Sequence, residues 1–340
     1  ICRQDFACLA PAFNLTFGVP RKGPAMYHRL SVFGSIAAAL LLFGGHALAT
    51  DDGDDPVYSQ ALADMNARLR ASGMNFAVDR AELHVRGPRN GDYSITIVAN
   101  DRTHLDSALF VENDPRRGGS GNISYLVDQS EGLALTFVNP TTVGVLSNAT
   151  TEREIDAGVA LWSTPKCNGP GFVKVADNGT DPDLADGFLL NNLSLIGTPF
   201  ADVTHGGWLT PSFFDLVLPG GSQFVLAATF TFIFVEDDGV TPTDVDRNGL
   251  FDAAFREIYY NLAFPWATRG SNLNVDIQSV AAHEFGHGLG LAHFGKIFIT
   301  NKGAIQFAPR ALMNGTYVQE DREIRGTDNA GFCHIWANKH

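Results

Sequence analysis

At 340 residues, 45% of them hydrophobic and 25 of them Phe, the chain can build one or two globular domains with a sizeable core. Its formal net charge of −13 argues against nucleic acid or an anionic membrane surface as a partner.

The first 49 residues stand apart from that core. Arg29 precedes an apolar run over 30–45, and Ala47-Leu48-Ala49 offers a small-x-small cleavage site. These are the parts of a secretory signal, with an expected start at Met26 in a longer amino-terminal extension. The run is short for a bilayer span, so an uncleaved anchor is the weaker reading. No later segment is long and apolar enough for stable membrane insertion after cleavage. Removal of residues 1–49 would leave 20 basic and 36 acidic residues and, of the four Cys, Cys167 and Cys333. An acidic surface and a single Cys pair suit an extracytoplasmic setting, secreted or periplasmic.

Residues 50–119 read as a small α+β accessory or pro-region. Leu62, Met65 and Leu69 recur at helical spacing over 57–72, and Gly73 is a natural stop. Strands are expected over 76–85 and 93–99, around a Gly/Pro-rich turn at 87–91. His84 and His104 are lone histidines there, read as surface or core residues. Residues 116–121, Arg-Arg-Gly-Gly-Ser-Gly, form the expected linker to a domain spanning 120–340.

In that domain a strand is expected over 123–127. A helix follows over 151–162, capped by Thr151 with Glu154 completing a capping box, and then a strand over 172–175. His205 has no paired ligand nearby and reads as a hydrogen-bonded loop residue. The apolar, β-branched run 224–235 is the best candidate for a buried central strand. Next, Asp244, Asp246, Asn248 and Asp252, with Gly249 among them, match the first half of a calcium loop. The twelfth place holds Phe255 instead of a bidentate Glu. The segment is either a Ca²⁺ site completed by Glu236, Asp237 or Asp238, or an ordinary Asp/Asn-Gly turn.

The strongest signal is His283-Glu284-Phe285-Gly286-His287-Gly288-Leu289-Gly290-Leu291-Ala292-His293. Four residues along a helix bring His283 and His287 to one face, a turn apart, where they can share one Zn²⁺. Gly290 can take φ > 0, end the helix and return the chain so that His293 supplies a third nitrogen. Three protein ligands leave a tetrahedral position for water, the mark of a catalytic zinc. Glu284 is placed to act as general base on that water. An amphipathic helix with incidental histidines would not need the third His and the Gly in those places.

This run resembles the extended zinc signature of the metzincin metallopeptidases, and its flanks are most similar to the matrixin branch. The resemblance covers roughly 120–340 and is closest from 244 onward. It implies an α+β domain with a twisted mixed sheet, a zinc-site helix and a Met-turn at Met313, within Ala311-Leu312-Met313-Asn314-Gly315. It implies an edge strand at 257–261 along which a protein or peptide substrate would lie, and a final helix near 332–336 capped by Thr327 or Asp328. Three positions depart from it. Ala228 stands where a structural-zinc His would be, Phe294 follows the third His in place of Ser, and Tyr317 lies four rather than two residues beyond the Met. The expected activity is zinc-dependent endopeptidase. The alternatives are a zinc hydrolase of a non-protein amide and a non-catalytic zinc-binding interaction protein. Cys167 lies inside the expected catalytic domain, so a disulfide to Cys333 is expected rather than a latency switch.

Overall fold

The computed structural model describes residues 56–87, 100–101, 106–129, 146–180, 182–271, 273–302 and 305–337. The signal segment, the strand expected over 93–99 and His104 lie outside them.

Helix α1 (Pro56–Ala71) buries Met65 and Leu69, and Gly73 (φ 70°) turns the chain into β1 (Phe76–Arg86). Short strands β2 (Asn100–Asp101) and β3 (Ala108–Leu109) precede β4 (Ile123–Val127). Helix α2 (Asn148–Leu161) begins three residues before its expected start. Ser147 rather than Thr151 is the cap, its Oγ accepting from Thr150 N at 3.2 Å, and the Thr151 hydroxyl donates to Asn148 O. A Ser-Asn-Ala-Thr-Thr run offers several side-chain oxygens of similar reach, so the first one able to meet a free N–H sets the boundary.

Strand β5 (Phe172–Val175), helix α3 (Leu184–Leu189), β6 (Val203–Leu209), α4 (Pro211–Val217), β7 (Val225–Phe234) and β8 (Phe251–Asn261) follow. Then come β9 (Trp266–Ala267), β10 (Val275–Asp276), helix α5 (Ile277–Gly288), β11 (Gly295–Ile299), β12 (Ile305–Ala308), β13 (Thr316–Tyr317) and α6 (Gly326–Trp336).

The architecture is α+β around a mixed sheet in the order β13-β1-β7-β8-β6-β4-β5, with β3 added against β8. Strands β5, β4, β6 and β8 run parallel to one another, whereas β7 is antiparallel to both β8 and β1. All ten residues of β7 are buried, as an apolar run between two partners requires.

Two expectations are corrected here. Residues 257–261 belong to β8, an interior strand paired on both sides, because β7 lies outside it. The boundary expected at 119/120 does not divide the sheet either: β1, from the supposed accessory region, is an inner strand between β7 and β13. Its alternate residues Ala81, Leu83 and Val85 join Met65 and Leu69 of α1 in an apolar cluster with α3, α4 and β7. A second cluster gathers α2, α5 and α6. Helices α2 and α5 approach closely, since a Cβ at Gly158 would stand 2.9 Å from Ala282 N.

Candidate metal centre

Helix α5 is fixed at both ends. Asp276 is its cap, accepting from Ser279 N at 2.9 Å while its carboxylate is paired with Arg322. Halfway along, Trp162 of the α2 C-terminus donates its indole N–H to Ala282 O at 2.7 Å. The helix ends at Gly288, and Gly290 takes φ 88°. The positive φ favours glycine there, and a side chain at Gly290 would in addition make the tip of Leu109 shift. The chain then turns back to present His293.

The Nε2 atoms of His283, His287 and His293 converge to 3.1–3.2 Å from one another. Three nitrogens around one tetrahedral Zn²⁺ at about 2.0–2.1 Å would be roughly 3.3–3.4 Å apart, so the set fits a single ion. The outward nitrogens fix the tautomers: His283 Nδ1 lies 2.8 Å from Leu312 O and His287 Nδ1 2.7 Å from Leu291 O. With protons held there, the Nε2 lone pairs face one another, an arrangement that a shared cation satisfies. Burial, then the neighbouring imidazoles, holds His283 well below its ordinary pKa, and burial brings His287 down to about 4. Both rings are therefore neutral at pH 7, the form that ligates.

Glu284 is fully buried, with Oε2 accepting from Thr229 Oγ1 at 2.5 Å. Burial pushes its pKa well up, the Thr229 hydrogen bond opposes that, and Glu82 adds to the rise. A divalent ion nearby acts in the opposite direction, favouring the carboxylate.

The Met313 turn packs against the helix. A Cβ at Gly286 would overlap Met313 Sδ, so Met313 rests against the helix between His283 and His287. Gly315 stands close to the His293 ring, where a Cβ would meet its carbons and Nδ1 at 3.1–3.4 Å. Asp328, at the start of α6, binds Leu312 N (2.9 Å), Met313 N (3.0 Å) and Arg325 N (2.9 Å). Asp328 thus holds the Met313 turn as well as its own helix, a second role that its place in a capping pattern does not reveal. Arg325, rather than Thr327 or Asp328, is the cap residue itself. Cys167 and Cys333 form a disulfide, Cα–Cα 5.7 Å, tying α6 to the segment after α2.

Two residues unread as functional stand at the triad. The His84 ring stacks on His283 with centroids 3.7 Å apart, and its Nδ1 lies 3.6 Å from Glu284 Oε1. Glu82 Oε2 lies 2.8 Å from His287 Nδ1, beside the carbonyl of Leu291. His84, His283 and Glu284 can place one ligand atom each within 4.8 Å of the others, as can the three expected ligands. Their alternation along β1, two residues apart on one face, is the signal that was available.

The remaining candidates are elsewhere. His205 is on β6 rather than a loop, fully buried, its Nδ1 2.7 Å from the Tyr260 hydroxyl. The Tyr317 hydroxyl accepts from Asp276 N at 3.1 Å, at the base of α5. Ala228 of β7 leaves that position without a ligand side chain. Asp244, Asp246 and Asp252 bring one oxygen each within 4.8 Å of the others. Those oxygens are already engaged: Asp244 accepts from Asn248 N and Gly249 N, both at 3.0 Å, and Asp246 accepts from the Asn248 side chain at 3.0 Å. Asn248 Oδ1 accepts from Leu250 N, and Asp252 is paired with Arg116 at 2.8 Å. Phe255, at the expected twelfth place, is inside β8.

Neither the family models nor the curated proteins match this chain.

Proposed function

We propose that the protein is a zinc-dependent hydrolase of peptide bonds, exported from the cytoplasm. The observation that carries the reading is the convergence of three imidazole Nε2 atoms at 3.1–3.2 Å beside the buried Glu284. His283, His287 and His293 would hold the ion, which supplies Lewis acidity and lowers the pKa of bound water to about 7. Glu284 takes the proton from the attacking water and returns it to the leaving amine nitrogen. Thr229 holds Oε2 and so leaves Oε1 to face the reacting atoms. Leu312 and Leu291 carbonyls keep the imidazoles from rotating as charge develops. Their main-chain rigidity comes from Asp328 and the Gly290 turn.

The test is digestion of an unfolded polypeptide by zinc-loaded protein, with and without chelator, followed by sequencing of the new termini. Chelator-sensitive internal cleavage is expected. Stoichiometric zinc with no cleavage of any polypeptide would assign the site to a non-protein amide or to binding alone.

A further inference from the structure

The three histidines of the centre are not held in the same way. His283 and His287 are on α5, where the helix sets their spacing and the carbonyls of Leu312 and Leu291 fix their rings. His293 lies in neither helix nor strand, on the return between α5 and β11. Just beyond it the chain leaves the centre. Strands β11 and β12 form a hairpin, with Lys296 opposite Ala308 and Ile299 opposite Ile305, before the chain comes back at Pro309 to enter the Met313 turn. The bonds that close the neck of this excursion therefore decide where His293 stands.

Asn314 closes it. The residue is 5% exposed, and its carboxamide uses both donated hydrogens and its acceptor. Nδ2 donates to Phe294 O at 2.5 Å on the outgoing side and to Pro309 O at 3.2 Å on the returning side, and Oδ1 accepts from Ala311 N at 2.9 Å. Phe294, directly after His293, is thereby held at both backbone groups, because its N–H donates to Met313 O at 2.8 Å. Gly295 brings the outgoing side close. At φ 104°, a Cβ there would stand 2.7 Å from Asn314 Nδ2 and 2.9 Å from Pro309 O. Asn alone offers two N–H donors and an acceptor at this reach: Gln is a methylene longer, Asp has no donor and Ser has a single one.

We propose that Asn314 is a positioning residue for the metal centre, delivering His293 by clasping the two ends of the β11–β12 hairpin to the Met313 turn. Without the clasp Phe294 is held at one backbone group instead of two, while α5 keeps His283 and His287 in place. A buried side chain that only supported the fold would weaken the centre through all three ligands; Asn314 acts through one. This rests on the metal-binding part of the reading above, and zinc binding by wild type, measured first, tells the two failures apart: no zinc in wild type sinks both.

The test is a double-mutant cycle on zinc affinity, measured on the full chain by competition with a chromophoric chelator. Asn314→Asp keeps the shape and the acceptor for Ala311 N but turns a carboxylate oxygen toward the Phe294 and Pro309 carbonyls. Alone it should lower affinity about 10–100-fold, the range for losing a partner that orients a ligand. In a His293→Ala background no third ligand is left to place, and the same substitution should lower affinity by less than about twofold. Unchanged affinity in the single variant overturns the proposal. An equal loss with and without His293 overturns it too, by showing that Asn314 serves the fold at large. Should Asn314→Asp not fold, Asn314→Ser enters the same cycle and is judged by the same outcomes.

Discussion

Two stretches with metal-ligand spacing behave differently in the fold. At residues 283–293 the outward nitrogens of His283 and His287 are bonded to backbone carbonyls, so their other nitrogens face one another across 3.1 Å. At residues 244–252 the side-chain oxygens accept from backbone N–H groups of the same loop and from Arg116. Both sets bring three ligand atoms within reach of one ion. At the first, three imidazole nitrogens aim at one point that a cation would fill; at the second, the oxygens already accept N–H bonds, which a cation would have to share or displace. Ligand spacing describes both, and the partners of the remaining lone pairs separate them.

Mutation of the first stretch carries the largest expected effects. His287→Ala should lower zinc affinity by more than about 100-fold, read as metal content after dialysis against a zinc buffer. Glu284→Ala should keep one zinc per chain and lose about 10²–10⁴-fold in turnover. Wild-type cleavage by the Glu284 variant would sink the mechanism.

The disulfide comes next, because it reaches the first stretch and not the second. It closes a loop across a sequence separation of 166, worth about 2–5 kcal/mol on removal. Cys167→Ser with Cys333→Ser should lower Tm by roughly 5–20 °C. Since α6 carries Asp328, zinc affinity should fall with it while the loop at 244–252 is unaffected. Unchanged melting would show that the bond constrains nothing that α6 packing does not already hold.

A second acidic group sharpens the comparison, being buried without a basic partner among the described residues. Burial pushes Asp186 up to about 6 and Glu257 up to about 7, with Asp186 adding to the rise at Glu257 against hydrogen bonds from Ala185, Leu184 and Tyr259. Raised carboxyl pKa values mean that the folded state binds more protons than the unfolded one between about pH 4 and 7. Stability from these groups is present below pH 4 and lost as pH rises through 6 to 7. Melting temperature should therefore fall over that window, and Asp186→Asn should flatten the fall by a few °C. An identical slope in the variant would place the titration elsewhere.

The smallest effect is expected at residues 244–252. Millimolar Ca²⁺ added to chelator-treated, zinc-restored protein should move Tm by less than about 2 °C, because Asp252 is already paired with Arg116 and Phe255 takes the place of the bidentate Glu. A rise of 5 °C or more, abolished by Asp246→Ala, would make the loop a calcium site.

What the sequence disclosed and what it withheld divide by range along the chain. Helical period and one glycine place His283, His287 and His293 together, and those are relations within eleven residues. The strands at 76–86, 123–127 and 172–175 follow from local apolar patterning. Which strand lies beside which does not. The same extended run at 257–261 suits an edge or an interior, and the difference is made by β7 and then by β1, whose residues are paired across about 150 positions. His84 read as bland and Glu82 drew no reading for that reason: their neighbours His283 and His287 are about 200 residues away, and no spacing rule spans that distance. Asp328 is a similar case, since one carboxylate serving as a helix-start residue gives no hint that it also holds the backbone beneath the triad.

The position of β1 in the sheet also bears on how the molecule is made. Its partners end at Phe234 and Tyr317, so a ribosome that has just released Arg86 has more than 200 residues still to add before both sides of that strand can pair. At about 5–20 residues per second, the wait is roughly 10–50 s. Until Phe234 is added, the segment bearing Val78, Ala81, Leu83 and Val85 has neither neighbour, and is a natural client for chaperones or for pairing with other nascent chains. Of the described strands, the first synthesised is among the last to be seated.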